Sequence, residues 1–155
     1  ESTMNNRIYN DKVNVDDENI KAFFNNRAKR FAAGEVDQYT SVVLGDNKSD
    51  YGKEWHEFEK KQVEKHLNLG LDKKVLDIGC GIGRWAENII DHCGEYIGTD
   101  FSDEMIRSAQ ERFKAYSNAL FINSSFQDIF KSKKIIGKKQ KNIKRFFKRF
   151  NTAKI

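Results

Sequence analysis

The sequence predicts an α/β protein built on a small parallel sheet. Three observations carry that prediction: short β-branched runs alternate with helix-spaced apolar segments between residues 70 and 128, a glycine-rich turn follows the first run, and an aspartate ends the second. Strands separated by helices in the order βαβαβ run parallel, because each crossover returns the chain to the same end of the sheet.

Taken in order, Asp16-Asp17 opens a helical segment with Ile20, Phe23, Phe24, Ala28 and Phe31 at helical spacing, and Gly34 closes it. Residues 34 to 52 break the pattern, with Gly45-Asp46-Asn47 and Ser49-Asp50-Tyr51-Gly52 as turns around a short Ser41-Val42-Val43-Leu44 run. A second helix is expected from about Lys53 to Leu69, with Trp55, Phe58, Val63 and Leu67 inward and Gly70 as its stop. Val75-Leu76-Asp77-Ile78 reads as the first strand, Arg84 to Cys93 as a helix through Trp85, Ile89 and Ile90, and Tyr96-Ile97-Gly98-Thr99 as the second strand. Ser102 caps a helix holding Met105, Ile106, Ala109 and Phe113, with Asp103 and Glu104 in its positive first turn. Ala119 to Asn123 is the third strand.

Composition narrows the class. Twelve phenylalanines and two tryptophans in 155 residues supply a core and exclude a disordered chain. No apolar run approaches the ~18 residues a membrane span needs. The chain opens without the basic and apolar stretches of a secretory signal, and Met4 is expected to be its natural start behind three foreign residues. Cys80 and Cys93 show no CxxC or Cys/His spacing, so neither a disulfide framework nor a metal site is expected, and a reducing cytoplasm is the expected compartment. The net charge of +5 is uneven: residues 131 to 155 hold eleven Lys/Arg and no acid, leaving 17 cations against 23 acids before them. Basicity belongs to the tail, whose Ile143, Phe146, Phe147 and Phe150 fall on one stripe of an amphipathic helix.

The chemistry concentrates in Asp77-Ile78-Gly79-Cys80-Gly81-Ile82-Gly83. Glycines are required where the backbone turns sharply or approaches a ligand without a Cβ in the way, and the carboxyl end of a parallel strand is where open α/β sheets bind ligands. A dinucleotide fingerprint would place its third glycine at 84, which is Arg84. Alternate glycines preceded by a carboxylate suit a cationic aminoacyl tail better than two phosphates. Asp100, at the end of the second strand, is placed to accept hydrogen bonds from both ribose hydroxyls. Phe101 and Met105 supply an aromatic ring and a thioether that could cover an adenine.

These residues carry a resemblance. Val75 to Gly83 resembles motif I of the class I S-adenosylmethionine (SAM) dependent methyltransferases, and Tyr96-Ile97-Gly98-Thr99-Asp100-Phe101-Ser102 resembles their acidic ribose motif, over about residues 70 to 128. The resemblance implies a Rossmann-like three-layer αβα sheet, with SAM as cofactor and S-adenosylhomocysteine as product. It implies that Asp77 and the Gly79 backbone hold the methionine amino end within the turn formed with Cys80, Gly81 and Gly83, that Asp100 holds the ribose, and that Phe101 meets the adenine. Many members end the third strand with Gly-Asp-Ala, whose Asp reads the adenine amino group. Here Ser124, Ser125 and Phe126 stand there, so Ser125, or Asp128 in its place, takes that role. Residues 1–69 are expected to form a helical lid and substrate segment with Phe24, Arg27, Tyr39 and Trp55 as pocket candidates, residues 70–130 the SAM-binding core, and residues 131–155 a basic tail.

Methyl transfer from a sulfonium is an in-line displacement, so positioning matters most and a base only where the acceptor must lose a proton. Of His56, His66 and His92, only His56 in the lid segment is worth testing as that base. The acceptor is expected to be a small molecule. The family's sheet has seven strands, yet 27 residues follow Asp128. Either the chain is truncated or frame-shifted, or residues are absent, or the tail helix or a second copy of the chain completes the sheet. Two alternatives stand beside the enzyme reading: a catalytically incomplete SAM-binding fragment, and a nucleic-acid or anionic-surface module working through the tail, with nucleic acid the less favoured partner.

Overall fold

The computed structural model describes residues 17–42 and 49–129. The basic tail with its apolar stripe and the Gly45-Asp46-Asn47 turn lie outside the described residues. Three helices come first, α1 (Asp17–Ala32), α2 (Gln38–Val42) and α3 (Ser49–Val63). The alternating part follows: β1 (Gly70–Ile78), α4 (Ala86–Ile89) with a 3-10 turn at Ile90–His92, β2 (Cys93–Asp100), α5 (Asp103–Arg112), β3 (Ala119–Asn123) and α6 (Phe126–Ile129). The strands form one parallel sheet in the order β1-β2-β3, in register through Val75↔Tyr96 and Tyr96↔Ala119. This is the open Rossmann-like α/β arrangement that the βαβαβ pattern predicts.

Alternation along each strand puts Val75, Tyr96, Ala119 and Phe121 on one face. There Ala86, Ile89 and Ile90 of the first crossover and Ile106, Ala109 and Phe113 of the second pack into one apolar cluster with Tyr96 and Phe121. Gly94 and Gly98 keep the sheet close to its neighbours: a Cβ at Gly94 would sit 2.1 Å from the Leu71 carbonyl oxygen. On the other face Ile78 and Leu120 remain exposed.

The N-terminal helices attach through a second, smaller core in which Ala28 of α1 meets Ile82 of the glycine turn and Met105 of α5, with Phe24 and Phe31 against it. Acids at the start of α1 and Lys29 and Arg30 at its end complement the helix dipole. Gly34, at φ 74°, ends it with the left-handed turn that favours glycine. Ser102 caps α5, its hydroxyl accepting from the Met105 amide at 3.1 Å and donating to Asn25 Oδ1 of α1 at 2.6 Å. Asn25 Nδ2 also donates to Asp103 Oδ1, so α1 grips the amino end of α5.

Several boundaries differ from expectation. Residues 38–42, read as patternless, form α2, capped by the Asp37 carboxylate accepting from the Thr40 amide at 2.7 Å. The second expected helix starts at Ser49 instead of Lys53 and stops at Val63, while Gly70 opens β1 instead of ending a helix. Its inward face also differs: Trp55, Phe58 and Val63 are exposed, and Gly52 and His56, one turn apart, are buried instead. The cause is steric, because α3 comes so close to α2 that a Cβ on Gly52 would lie 3.0 Å from Tyr39 Cβ, a gap no bulky inward residue could share. The helix expected through Cys93 shortens to α4 and its 3-10 turn, and Cys93 becomes the first residue of β2. Ser102→Ala should lower stability by about 1–2 kcal/mol, the usual cost of a lost helix cap. A urea titration should show the midpoint falling at constant slope.

Candidate functional site

The site is built where three strand tips meet the turn after β1. Gly79, Gly81 and Gly83 all adopt positive φ (78°, 54° and 82°), the conformation side chains disfavour. At Gly83 space also forbids a side chain, since a Cβ would meet the Phe113 ring at 2.6 Å. The turn is pinned to β2 by the Gly79 and Cys80 amides, which both donate to the Thr99 carbonyl, at 2.7 and 3.0 Å. Its next amide, Gly81 N–H, donates to Asp100 Oδ2 at 3.0 Å, while Asp100 Oδ1 accepts from the Ser102 amide at 2.8 Å. These two bonds fix Asp100, and the Phe101 amide also bears on its carboxylate, which with about four acceptor positions keeps room for a further donor. Burial raises the Asp100 carboxyl above its ordinary range, against the pull of these amides. The third tip joins through Asn123, whose side-chain amide donates to the carbonyls of Asp100 and Phe101, each at 3.0 Å.

Beside these tips lies a cleft of about 730 Å³. Gly79, Asp100, Phe101, Ser125 and Phe126, all expected at the cofactor, line it together with Asp128. Ser125 Oγ donates to Asp128 Oδ2 at 2.8 Å, which joins the two residues named as alternatives for reading an adenine. Nothing lies within 4 Å of a Cβ position on Gly79. Phe24 of α1 meets Phe101 edge to face at 5.9 Å between ring centres, so one of the four pocket candidates touches a residue of the cleft lining without lining the cleft itself. Sequence reasoning missed that the start of α1, Asp17 to Lys21, forms the opposite wall.

Other expected site residues are placed elsewhere. Met105 is buried under α1 beside Ile82 and Ala28, as its core spacing also allowed. Cys80 is buried behind the turn, where burial and then the nearby Asp77 and Asp100 push its thiol up, so it stays protonated. Gly81 and Gly83 shape the turn without lining the cleft. Arg27 donates to the Thr40 carbonyl at 2.7 Å and borders a separate groove. Trp55 is exposed and donates to Glu59. Tyr39 packs on His56 at 5.3 Å. His56 is buried outside the cleft lining, with Nδ1 2.5 Å from Arg84 Nη1, whose other partner is Glu59 at 2.8 Å. Burial and then the Arg84 charge lower its pKa, which keeps the ring neutral, with the Nδ1 lone pair taken up by the guanidinium.

Asp77, expected at the cofactor, does not line the cleft but a separate groove along β1 with Phe58, Glu59, Val75 and Trp85, and its Oδ2 accepts from the Tyr96 hydroxyl at 2.6 Å. Burial raises its carboxyl, while the Tyr96 hydrogen bond and the Arg84 charge oppose the rise. In the sequence Tyr96 reads as strand filling; only its register opposite Val75, diagonal to Asp77, could have announced the contact.

Comparison with known proteins bears on the fold. Residues 75–135 match the family model described as a methyltransferase domain. Over 107 residues the chain is 27% identical to a demethylmenaquinone methyltransferase of Staphylococcus saprophyticus, covering 67% of this chain and 46% of that protein. A 51-residue stretch is 35% identical to an uncharacterised methyltransferase of Schizosaccharomyces pombe, covering 33% of this chain and 20% of that one. Among solved structures, a phosphoethanolamine N-methyltransferase of Haemonchus contortus superposes with a TM-score of 0.55 at 20% identity, over 70% of this chain and 21% of that one. The chain thus spans less than half the length of these relatives. Residues 75–135 match a methyltransferase domain, and the chain shares the open Rossmann-like α/β fold of the phosphoethanolamine N-methyltransferase structure.

Proposed function

We propose that this chain binds SAM and serves as the cofactor-holding part of a methyltransferase acting on a small molecule. The observation that carries the reading is the Gly81 amide bonded to Asp100, which lines the cleft: a glycine turn and a carboxylate able to accept a further hydrogen bond sit side by side. The cleft's volume falls within the roughly 300–1,000 Å³ of small-molecule sites. The staphylococcal relative is named for demethylmenaquinone, which supports a small acceptor.

The residues fit such a cofactor group by group. The vicinal ribose hydroxyls are donors, and the Asp100 carboxylate in the cleft lining is an acceptor for them. The methionine ammonium needs acceptors, for which the Gly79 carbonyl stands in the cleft lining and the Asp77 carboxylate lines the groove along β1. Phe101 offers a ring to the adenine, and the Ser125–Asp128 pair an acceptor to its amino group. When bound, SAM supplies a methyl group on a sulfonium for in-line displacement, and the protein's share is orientation and exclusion of water. Residues 1–69 act as the lid and substrate segment, with Phe24 nearest the cofactor, and residues 70–130 as the core. No described helix is long and apolar enough to cross a membrane. An apolar groove of about 450 Å³ along β1, lined by Phe58, Val63, Val75 and Trp85, is where a second copy would complete the sheet if the chain forms an oligomer.

Calorimetry with S-adenosylhomocysteine tests the reading: binding is expected, and Asp100→Ala should weaken it at least tenfold, the scale of losing two charge-assisted hydrogen bonds. The absence of heat with the unaltered chain refutes it. Methyl transfer is tested separately, because cofactor binding without turnover on any acceptor identifies a catalytically incomplete fragment. Affinity should also fall as pH drops from neutral toward mildly acidic. Asp77 and Asp100 must be ionised to accept, and burial raises both carboxyls, so the loss begins at higher pH than exposed carboxylates would give.

A further inference from the structure

Tyr96 has no exposed surface and lies in an otherwise apolar cluster, 5.6 Å from the Phe121 ring and among Ala86, Ile89, Ile106 and Ala109. Phenylalanine would fill that volume. A hydroxyl kept in such a place needs a partner, since burying it unpaired is costly. Its partner is Asp77 Oδ2, at 2.6 Å. Parallel register brings the two together: Tyr96 stands opposite Val75, and Asp77 is the next residue of β1 on that face. With Oδ2 so engaged, Oδ1 has no donor among the described residues, and the side chain lines the groove along β1 rather than the cleft beside Gly79 and Asp100.

We propose that Tyr96 is a positioning residue that fixes the Asp77 carboxylate so that its second oxygen receives the ammonium end of an S-adenosyl ligand. The proposal rests on the cofactor reading of the glycine turn and adds a residue to it. Burial, together with the neighbouring Asp77, pushes the phenol up, so it keeps its proton and acts as a donor. The hydrogen bond favours the charged form of Asp77, which burial disfavours. The other charged or titratable groups facing Asp77 are Arg84 after the turn, Asp100 on β2 and the Cys80 thiol. Arg84 is held by Glu59 and His56 of α3, so its charge acts on Asp77 at a distance and Tyr96 supplies the direct bond.

The test separates the two ends of the ligand. S-adenosylhomocysteine carries the amino acid, whereas methylthioadenosine keeps the adenosine and the sulfur and lacks it. In Tyr96→Phe, affinity for the first should fall about tenfold, as for a lost charge-assisted hydrogen bond. Affinity for the second should stay within about twofold, inside ordinary variation for an untouched contact. The deficit should widen as pH falls, because without the phenol donor Asp77 protonates at higher pH and no longer attracts a cation. Asp77→Asn, which keeps the shape and an acceptor for Tyr96, should show the same split between ligands if the phenylalanine variant does not fold. Equal loss of both ligands in a folded variant, or unchanged S-adenosylhomocysteine affinity across the pH range, overturns the proposal. An unaltered protein that binds neither ligand refutes the cofactor reading itself and takes the Tyr96 assignment with it.

Discussion

The site depends on one hydrogen bond, from the Gly81 amide to the Asp100 carboxylate. It joins a turn leaving β1 to the tip of β2, and both of its ends are prepared. On the turn side, left-handed backbone at three alternate glycines aims the amide inward. On the strand side, the Ser102 amide fixes the other carboxylate oxygen. Asn123 carries the lacing to β3, and Ser102 carries it through Asn25 to α1. A carboxylate held by backbone amides loses little freedom when it meets a ligand, which is how a preorganised site gains affinity.

The same lacing explains why the N-terminal helices sit where they do. Ile82, inside the glycine turn, is fully buried against Ala28, and the turn thus supports α1 while presenting its glycines. Arg112 of α5 strengthens the attachment, donating to the Ile82 carbonyl and to Gln38 Oε1, each at 2.7 Å. The turn, α1, α2 and the tip of β2 therefore form one connected unit, in which displacement of α1 would be felt at Asp100.

How much of this was legible in the sequence follows from which forces act locally. The three strands, the Ser102 cap and the spacing of Asp77, the glycines and Asp100 are set by residues near one another in the chain, and the structure has them where the pattern puts them. The inward face of α3 was misread because the apolar Trp55, Phe58 and Val63 stripe is outvoted by a steric fact about α2, the near contact of Gly52 with Tyr39. Cys80 was placed at the ligand by its position in the motif and Met105 by its thioether, whereas packing turns both into the interior. Tyr96 and Asn25 escaped notice for the opposite reason: their partners lie 19 and 77 residues away, and nothing local marks a hydroxyl or an amide that finds its partner only through the fold.

A crystal structure of the chain with S-adenosylhomocysteine would bear on the central claim most directly. The account predicts both ribose hydroxyls on the Asp100 carboxylate and the amino acid end over Gly79, with the Gly81–Asp100 bond intact. A ligand seated away from Asp100, or an Asp100 side chain turned from the cleft when the ligand is present, would contradict it.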